Sequence, residues 1–213
     1  MWKCICMAVA LWGCTGVLQA KVVLPSVFTD NMVLQQKTDI TFYGDATKNK
    51  QLTVKTGWNG KEYHTEADGQ GKWSLKIPTP AAGGPYEITF SDGKKLQLKN
   101  VMIGEVWFCS GQSNMAFRVN ESVKEEQQQQ LDYAKQHSQI RLFDLKPRWE
   151  TYAVEWDASV LDSLNRLQYY HDTQWEVCDT RNTARFSAIG FAFGRMLADS
   201  LQVPVGLILN AVG

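Results

Sequence analysis

The sequence predicts an α/β protein in which an N-terminal β-sandwich-like domain, residues 21–100, is followed by an α/β domain, residues 101–213. Short β-rich runs separated by turn residues predict the first domain. Apolar runs that alternate with helical segments predict the second. The 213 residues suit one large domain or two small ones, and 44% of them are hydrophobic, which is enough for a core.

The first 20 residues differ in composition from the rest of the chain. They contain one cation, Lys3, no acidic residue and a short apolar stretch, and they end at the small residue Ala20. These features predict a secretory signal peptide, residues 1–20, and therefore a periplasmic or secreted protein. The apolar stretch is shorter than the roughly 20 residues that a membrane span requires. A lipoprotein signal with Cys14 as the lipid acceptor is the alternative.

The β-rich runs of the first domain are divided by residues that favour turns. Asn59-Gly60, Asp68-Gly69 and Asp92-Gly93 each stand between two such runs. Short strands at a spacing of roughly 8–12 residues, separated by such turns, are typical of a sandwich. The "SDG" between "EITF" and "KKLQL" predicts a hairpin, because a tight turn needs a residue that tolerates a positive φ.

Three apolar runs in the second domain predict the strands of an open α/β sheet. They are "VMIGEVWFCSG", "QIRLFDL" and "VPVGLILNAVG". The first is nearly continuous, which predicts a strand buried on both faces, with Trp107 and Phe108 in the core. A helix is expected from about Lys124 to His137, between the first two strands. Three strands are few for such a sheet, and we expect the chain to be a truncated fragment.

A second helix is predicted in "FSAIGFAFGRMLADSL". Its large apolar residues, Ile189, Phe193, Met196 and Leu197, recur at the spacing of one helical face, which predicts the buried side of an amphipathic helix. Ser187 is placed to cap its N-terminus.

Charge and cysteine content argue against several functions. Lys plus Arg and Asp plus Glu each number 22, so no net charge attracts nucleic acid or anionic lipid. Only Cys109 and Cys178 follow the signal segment, without a CxxC pair or a histidine at ligand spacing, which argues against structural zinc. Both are expected to be buried free thiols, and a disulfide between them is the alternative.

The stretch "GEVWFCSGQSNMAF" sets Ser113 immediately after an apolar run. A serine hydroxyl is a poor nucleophile at neutral pH and needs a base, as well as donors that stabilise the oxyanion. At the start of a helix after a buried strand, Ser113 would lie at the carboxyl edge of the sheet with its N–H pointing outward. Gly111 permits a tight turn and close approach of a substrate. The pattern predicts either an ordinary strand-to-helix turn or a nucleophile.

The block is not the G-x-S-x-G elbow of α/β-hydrolases, because Met115 follows Asn114. It resembles the nucleophile block of the sialate O-acetylesterase family, within the SGNH (GDSL-like) hydrolases. The resemblance covers residues 22–213. The similar segments, in order, are "LPSVFTDNMVLQQ", "GKWSLKIPTPAAGGPYEITF", "GEVWFCSGQSNM", "IRLF", "FSAIGFAFGR" and "VPVGLI".

The resemblance implies a serine esterase that forms an acetyl-enzyme and needs no metal or organic cofactor. Residues 21–100 would be an accessory β domain, and residues 101–213 an incomplete SGNH-type three-layer αβα domain. Ser113 would attack the acetyl ester of an O-acetylated sialic acid or a related acetylated glycan. The Ser113 N–H and the Gly213 N–H would be oxyanion donors. The family usually reads "WGG" at this point, whereas this chain reads Ala211-Val212-Gly213, with Gly213 aligned to the first glycine. No nucleic-acid partner is expected, and no oligomeric state is indicated.

The family's base is a histidine near the C-terminus, oriented by an aspartate three residues before it. The sequence contains no Asp-x-x-His segment, and the family's asparagine block is also absent. His64, His137 and His171 are expected to be structural or surface residues. We therefore expect the chain to lack a complete triad and to have little or no esterase activity by itself.

Further polar residues near the nucleophile are candidates for binding. Asn114 could orient the loop through its own backbone or contact substrate. Arg118, Asn120 and Arg185 could contact a sugar or a carboxylate, or they could form a solvated face.

Two other functions remain open at this point. One is a non-catalytic glycan-binding protein or a remnant of an enzyme. The other is an acetylxylan-type carbohydrate esterase, which would share the catalytic groups and differ in its substrate.

Overall fold

The computed structural model of the chain describes residues 22–149 and 155–212. The predicted signal peptide and Gly213 lie outside this part. Within it, the protein is mixed α/β, with one eight-stranded sheet, one two-stranded sheet and few helices. No helix of the described residues has the length and apolarity to cross a membrane.

The strands are β1 (Val33–Gln35), β2 (Asp39–Asp45), β3 (Gln51–Thr56), β4 (Glu62–Glu66), β5 (Lys72–Pro78), β6 (Gly83–Ser91), β7 (Lys95–Gly111), β8 (Ile140–Asp144), β9 (Glu176–Val177) and β10 (Val205–Ala211). The helices are α1 (Ser113–Ala116), α2 (Lys124–Ala134), α3 (Ala158–Asn165), α4 (Thr180–Ala184) and α5 (Ala188–Leu201).

The N-terminal half is all β, as its alternating runs and turn residues predict. The small sheet pairs β2 with β5 in antiparallel register. In the large sheet β4, β3, β6 and β7 are neighbours in that order. The predicted "SDG" hairpin is confirmed, because Ser91 lies opposite Lys95 and Gly93 has a φ of +120°.

Aromatic side chains join the two sheets in one core. The ring of Phe90 on β6 lies 5.6 Å from that of Phe42 on β2 and 6.0 Å from that of Trp73 on β5. All three side chains are buried. Burial of these rings removes a large apolar area from water and holds the small sheet against the large one.

Strand β7 connects the N-terminal half to the rest of the molecule. The overlapping runs "KLQLKNVMI" and "VMIGEVWFCSG" form this one strand of 17 residues. Up to Ile103 it pairs antiparallel with β6, and from Glu105 to Gly111 it pairs parallel with β10. The strand thus runs through residues 100 and 101, where the sequence analysis puts the domain boundary.

The predicted strand–helix alternation in the second half is confirmed. β10 lies between β7 and β8 and is parallel to both. Helix α2 covers most of the predicted range from Lys124 to His137. Helix α5 packs against the centre of this part of the sheet, where Leu207 on β10 is fully buried.

The face that α5 buries differs from the predicted one. Ile189, Phe193 and Met196 are exposed, Met196 by 68%, and of the predicted stripe only Leu197 packs against the core. Buried residues of the helix are instead Gly190, Phe191, Gly194 and Ala198. A Cβ on Gly194 would lie 2.5 Å from Leu207 Cδ1. Small residues let the helix approach β10 closely, and the larger apolar side chains are left outside the contact.

The prediction that Trp107 and Phe108 are core residues is wrong. Their side chains are 42% and 59% exposed. Beyond Gly104, β7 pairs with β10 alone among the described strands. In the part of the chain that the structure describes, both residues therefore stand at the edge of the sheet. Trp107 is partly covered by the ring of Phe193, whose centroid is 5.2 Å away.

Cys109 and Cys178 are buried and free in the described structure. Both belong to the core beneath α5. Burial raises the pKa of the Cys109 thiol, and burial raises that of Cys178 to about 11. Both are therefore protonated, weakly reactive thiols at neutral pH.

Ser187 caps α5 as predicted, and its removal should destabilise the protein. Its Oγ accepts a hydrogen bond from the Gly190 N–H at 3.1 Å and lies 3.4 Å from Met115 Sδ. We expect Ser187→Ala to lower the free energy of unfolding by about 1 kcal/mol. Chemical denaturation measures this loss. The control is Ser74→Ala, on exposed strand surface, and an equal change in both variants would contradict the capping role.

Candidate active site

Ser113 is the first residue of the short helix α1 and follows the end of β7 by two residues. Its side chain is exposed. Among the described residues, neither its hydroxyl nor its backbone N–H takes part in a hydrogen bond. A Cβ on Gly111 would lie 2.9 Å from Met115 Cβ, so the turn requires glycine at this position. Ser113 is accessible to a substrate.

The carboxyl ends of three parallel strands meet beside Ser113. Asn210 and Ala211 of β10 lie opposite Ser110 and Gly111 of β7. The Val212 N–H donates to the Gly111 carbonyl at 3.3 Å. β8 ends on the far side of β10 at the same edge. In open α/β sheets, ligands bind at this edge.

The segment after α1 is attached to the start of α5. The Val119 N–H donates to the Phe186 carbonyl at 3.0 Å, and the Ala188 N–H donates to the Phe117 carbonyl at 2.8 Å. The two candidate arginines come together here, because Arg118 Nη1 donates to the Arg185 carbonyl at 2.9 Å. The Arg185 guanidinium also contacts Glu176 at 3.6 Å.

Asp144 is a polar residue of this edge that the sequence analysis did not single out. It ends β8 and lies opposite Leu209 of β10. Burial raises the pKa of its carboxyl, and the charges of Arg118, Lys146 and Arg185 oppose that shift. The signal that could have identified it is an acidic residue at the end of a buried strand, in "QIRLFD". Asp144 and the two arginines thus give the edge charged groups of both signs.

None of the three histidines makes a hydrogen bond with Ser113 in the described structure. His64 lies on β4, where its ring is 3.2 Å from Thr53 Oγ1. His137 stacks on the Tyr133 ring at 3.5 Å and contacts the Tyr133 carbonyl at 2.7 Å. The backbone N–H of His171 donates to the Lys146 carbonyl.

The other polar residues around Ser113 are available to a ligand. Asn114 and Asn120 are exposed, and their side chains make no hydrogen bond within the described ranges. The second predicted oxyanion donor, Gly213, lies outside the described residues. In the part of the chain that the structure describes, no group of three or more His, Cys, Asp or Glu side chains is arranged to hold a metal ion.

Comparisons with known proteins identify relatives of one kind. No protein-family model matches the chain. A sialate O-acetylesterase of Pongo abelii is 26% identical over 204 residues, which are 88% of this chain and 36% of that protein. A sialate O-acetylesterase of Rattus norvegicus is 29% identical over 198 residues, which are 87% of this chain and 35% of that protein.

A solved structure agrees with these relatives. The crystal structure of a carbohydrate acetylesterase from Xanthomonas citri matches 91% of this chain and 41% of that one, with a TM-score of 0.74 and 27% sequence identity. The chain spans about a third of the length of the curated relatives that it matches. The resemblance that the motifs predict is therefore confirmed: over most of its length, the chain is similar to the sialate O-acetylesterases.

Proposed function

We propose that this chain carries the nucleophile of a carbohydrate O-acetylesterase that acts on O-acetylated sialic acid or a related acetylated glycan. The observation that carries the proposal is the exposed Ser113 beyond the end of β7, at the edge where three parallel strands end. The similarity to sialate O-acetylesterases and to a carbohydrate acetylesterase supports the substrate class.

In the proposed reaction, Ser113 Oγ attacks the carbonyl carbon of the acetyl ester. The serine proton passes to a general base. The backbone N–H groups of Ser113 and Gly213 stabilise the negative charge that develops on the carbonyl oxygen. The sugar hydroxyl then leaves with a proton. Water attacks the acetyl-enzyme, releases acetate and restores the serine.

The charged groups at the edge are suited to orienting a polar substrate. Arg118 is half-buried and its guanidinium is directed by the Arg185 carbonyl. Asp144 offers carboxylate oxygens that sugar hydroxyls can donate to. We assign these residues to substrate binding, together with the exposed Asn114 and Asn120.

The proposal is tested by acetate release from 9-O-acetyl-N-acetylneuraminate. The protein is purified in the form that its own cells produce and is compared with the same form carrying Ser113→Ala. Acetate release that depends on Ser113 supports the proposal. Release that continues unchanged in the variant contradicts it.

The 213-residue chain produced alone should show little or no turnover of the same ester. The reason is that none of its three histidines is bonded to Ser113 in the described structure, and the sequence contains no Asp-x-x-His segment of the kind that holds the base in the family it resembles. The measurement compares this chain with its Ser113→Ala variant, and equal background rates are expected. A rate that Ser113→Ala abolishes would show that the chain does contain the base.

The proposal also assigns a role to each segment of the chain. Residues 1–20 are a signal peptide, so the esterase works in the periplasm or outside the cell, and a lipid anchor at Cys14 is the alternative. Residues 21–100 are a β-sandwich-like accessory domain, and residues 101–213 belong to an SGNH-type hydrolase domain. The aromatic core around Phe90, shared by the two sheets, supports the sandwich assignment.

A further inference from the structure

A cleft opens near the same edge of the sheet. It is a cleft of about 510 Å³ between the end of β8 and the segment 167–172. We call it the tyrosine cleft, and the residues that matter to its chemistry are Arg148, Tyr169, Tyr170, His171 and Asp172. Its volume lies in the range of pockets that bind small molecules. None of these residues has a role in the acetyl transfer proposed above.

Backbone pairing fixes the shape of the tyrosine cleft. Beyond β8, the chain pairs with the segment before β9: the Arg148 N–H donates to the Tyr169 carbonyl at 3.0 Å, and the His171 N–H donates to the Lys146 carbonyl at 2.9 Å. Arg148 Nε also donates to the Tyr170 carbonyl at 3.0 Å. These bonds hold the wall of the cleft in place before a ligand arrives, which lowers the entropic cost of binding.

The side chains of the cleft suit a sugar ring. The Tyr169 ring is 45% exposed, and its position is supported by Trp149, whose ring lies 6.5 Å away at nearly a right angle. A pyranose presents an apolar C–H face, which packs on such a ring, and a rim of hydroxyls. Arg148 and Asp172 supply donors and acceptors for those hydroxyls.

A hydrogen bond connects the cleft to the strand beside the nucleophile. Tyr170 Oη lies 3.0 Å from Asn210 Oδ1 on β10. Asn210 is opposite Ser110 on β7. With a strand spacing of about 5 Å and three residues from Ser110 to Ser113, the Asn210 and Ser113 Cα atoms are within about 15 Å of each other. A glycan of several sugar units can span a distance of this size.

We propose that the tyrosine cleft is a binding subsite for one sugar unit of a glycan, another unit of which presents its acetyl ester to Ser113. The choice of a glycan as ligand rests on the proposed function. The cleft itself requires no ester, so its occupancy is measured with an unacetylated oligosaccharide. Such binding also does not require the general base.

The test is saturation-transfer NMR of the 213-residue chain with 3′-sialyllactose, followed by a titration that gives Kd. We expect Tyr169→Ala to weaken binding about tenfold, because it removes the apolar surface under the sugar. Tyr169→Phe keeps the ring and should bind like the parent chain, since the Tyr169 hydroxyl makes no hydrogen bond in the described residues. Asp172→Ala should also weaken binding.

The controls separate this inference from the esterase proposal. Tyr43→Ala removes a tyrosine of similar exposure, 48%, from the N-terminal half and should bind normally. Thermal unfolding shows whether each variant is folded. Absence of 3′-sialyllactose binding to the parent chain, or equal binding by Tyr169→Ala and Tyr169→Phe, would overturn the subsite. Either result leaves the role of Ser113 in ester hydrolysis standing, because acetate release measures that role independently.

Discussion

Ser113→Ala should lower the rate of acetate release from a 9-O-acetylated sialic acid by at least about 10⁴-fold in the form of the protein that cells produce. Alanine has no atom that can form the acetyl-enzyme, so the two-step route is closed. The residual rate should come from bound substrate and water, with little change in KM. The measurement is steady-state kinetics of acetate release.

The matched control is Ser110→Ala, on the same strand. Ser110 is also exposed and lies three residues before Ser113. Loss of the Ser110 hydroxyl should change the rate of acetate release little, because Ser110 lies within β7, whereas Ser113 lies on α1 beyond the end of the strand. If the two variants lost activity equally, the assignment of the nucleophile to Ser113 would be untenable.

Trp175→Ala should destabilise the protein by about 3–5 kcal/mol. The Trp175 side chain is 2% exposed, and its ring lies 5.3 Å from that of Phe143 on β8. Its Nε1–H donates to the Val27 carbonyl at 2.8 Å, and its backbone N–H donates to Thr29 Oγ1 at 3.1 Å. The substitution leaves a cavity and an unsatisfied carbonyl between the N-terminal segment and β8.

Thermal unfolding measures this effect, and the midpoint should fall by about 10 °C. Trp107→Ala is the control. It removes the same side chain from an exposed position and should cost less than about 1 kcal/mol, mainly the edge contact with Phe193. A Trp175→Ala variant as stable as Trp107→Ala would mean that Trp175 does not connect the two regions.

Local features of the fold could be predicted because they depend on neighbouring residues. The cap at Ser187 and the hairpin around Gly93 are each decided within a few residues of sequence. Strand β8 is identified by a run of buried positions that needs no partner to be recognised. The position of β10 between β7 and β8, by contrast, is not encoded in any single segment.

The wrong predictions concern which partner covers an apolar side chain. Periodicity groups Ile189, Phe193 and Met196 on one face of α5, but it does not reveal that Gly190 and Gly194 permit a closer approach from another side. In a similar way, the apolar run through Trp107 predicts a strand without telling how many strands flank it. Burial depends on the arrangement of the whole sheet.

In the candidate site too, residues that are adjacent in sequence could be predicted, and residues from distant segments could not. Ser113 could be proposed from one contiguous block, because the turn and the nucleophile are adjacent in sequence. The meeting of Arg118 with Arg185, and the presence of Asp144 at the same edge, depend on segments far apart in the chain. A single sequence can identify such residues as candidates, but only the structure shows that they lie close together.

The most direct measurement of the central claim is the site of acetylation during turnover. The protein in the form that its cells produce is mixed with 9-O-acetyl-N-acetylneuraminate, quenched rapidly in acid, digested and analysed by peptide mass spectrometry. We expect one added acetyl group on the peptide that contains Ser113, and no added group on the corresponding peptide of Ser113→Ala. Acetate release with the acetyl group on a different residue would contradict the account.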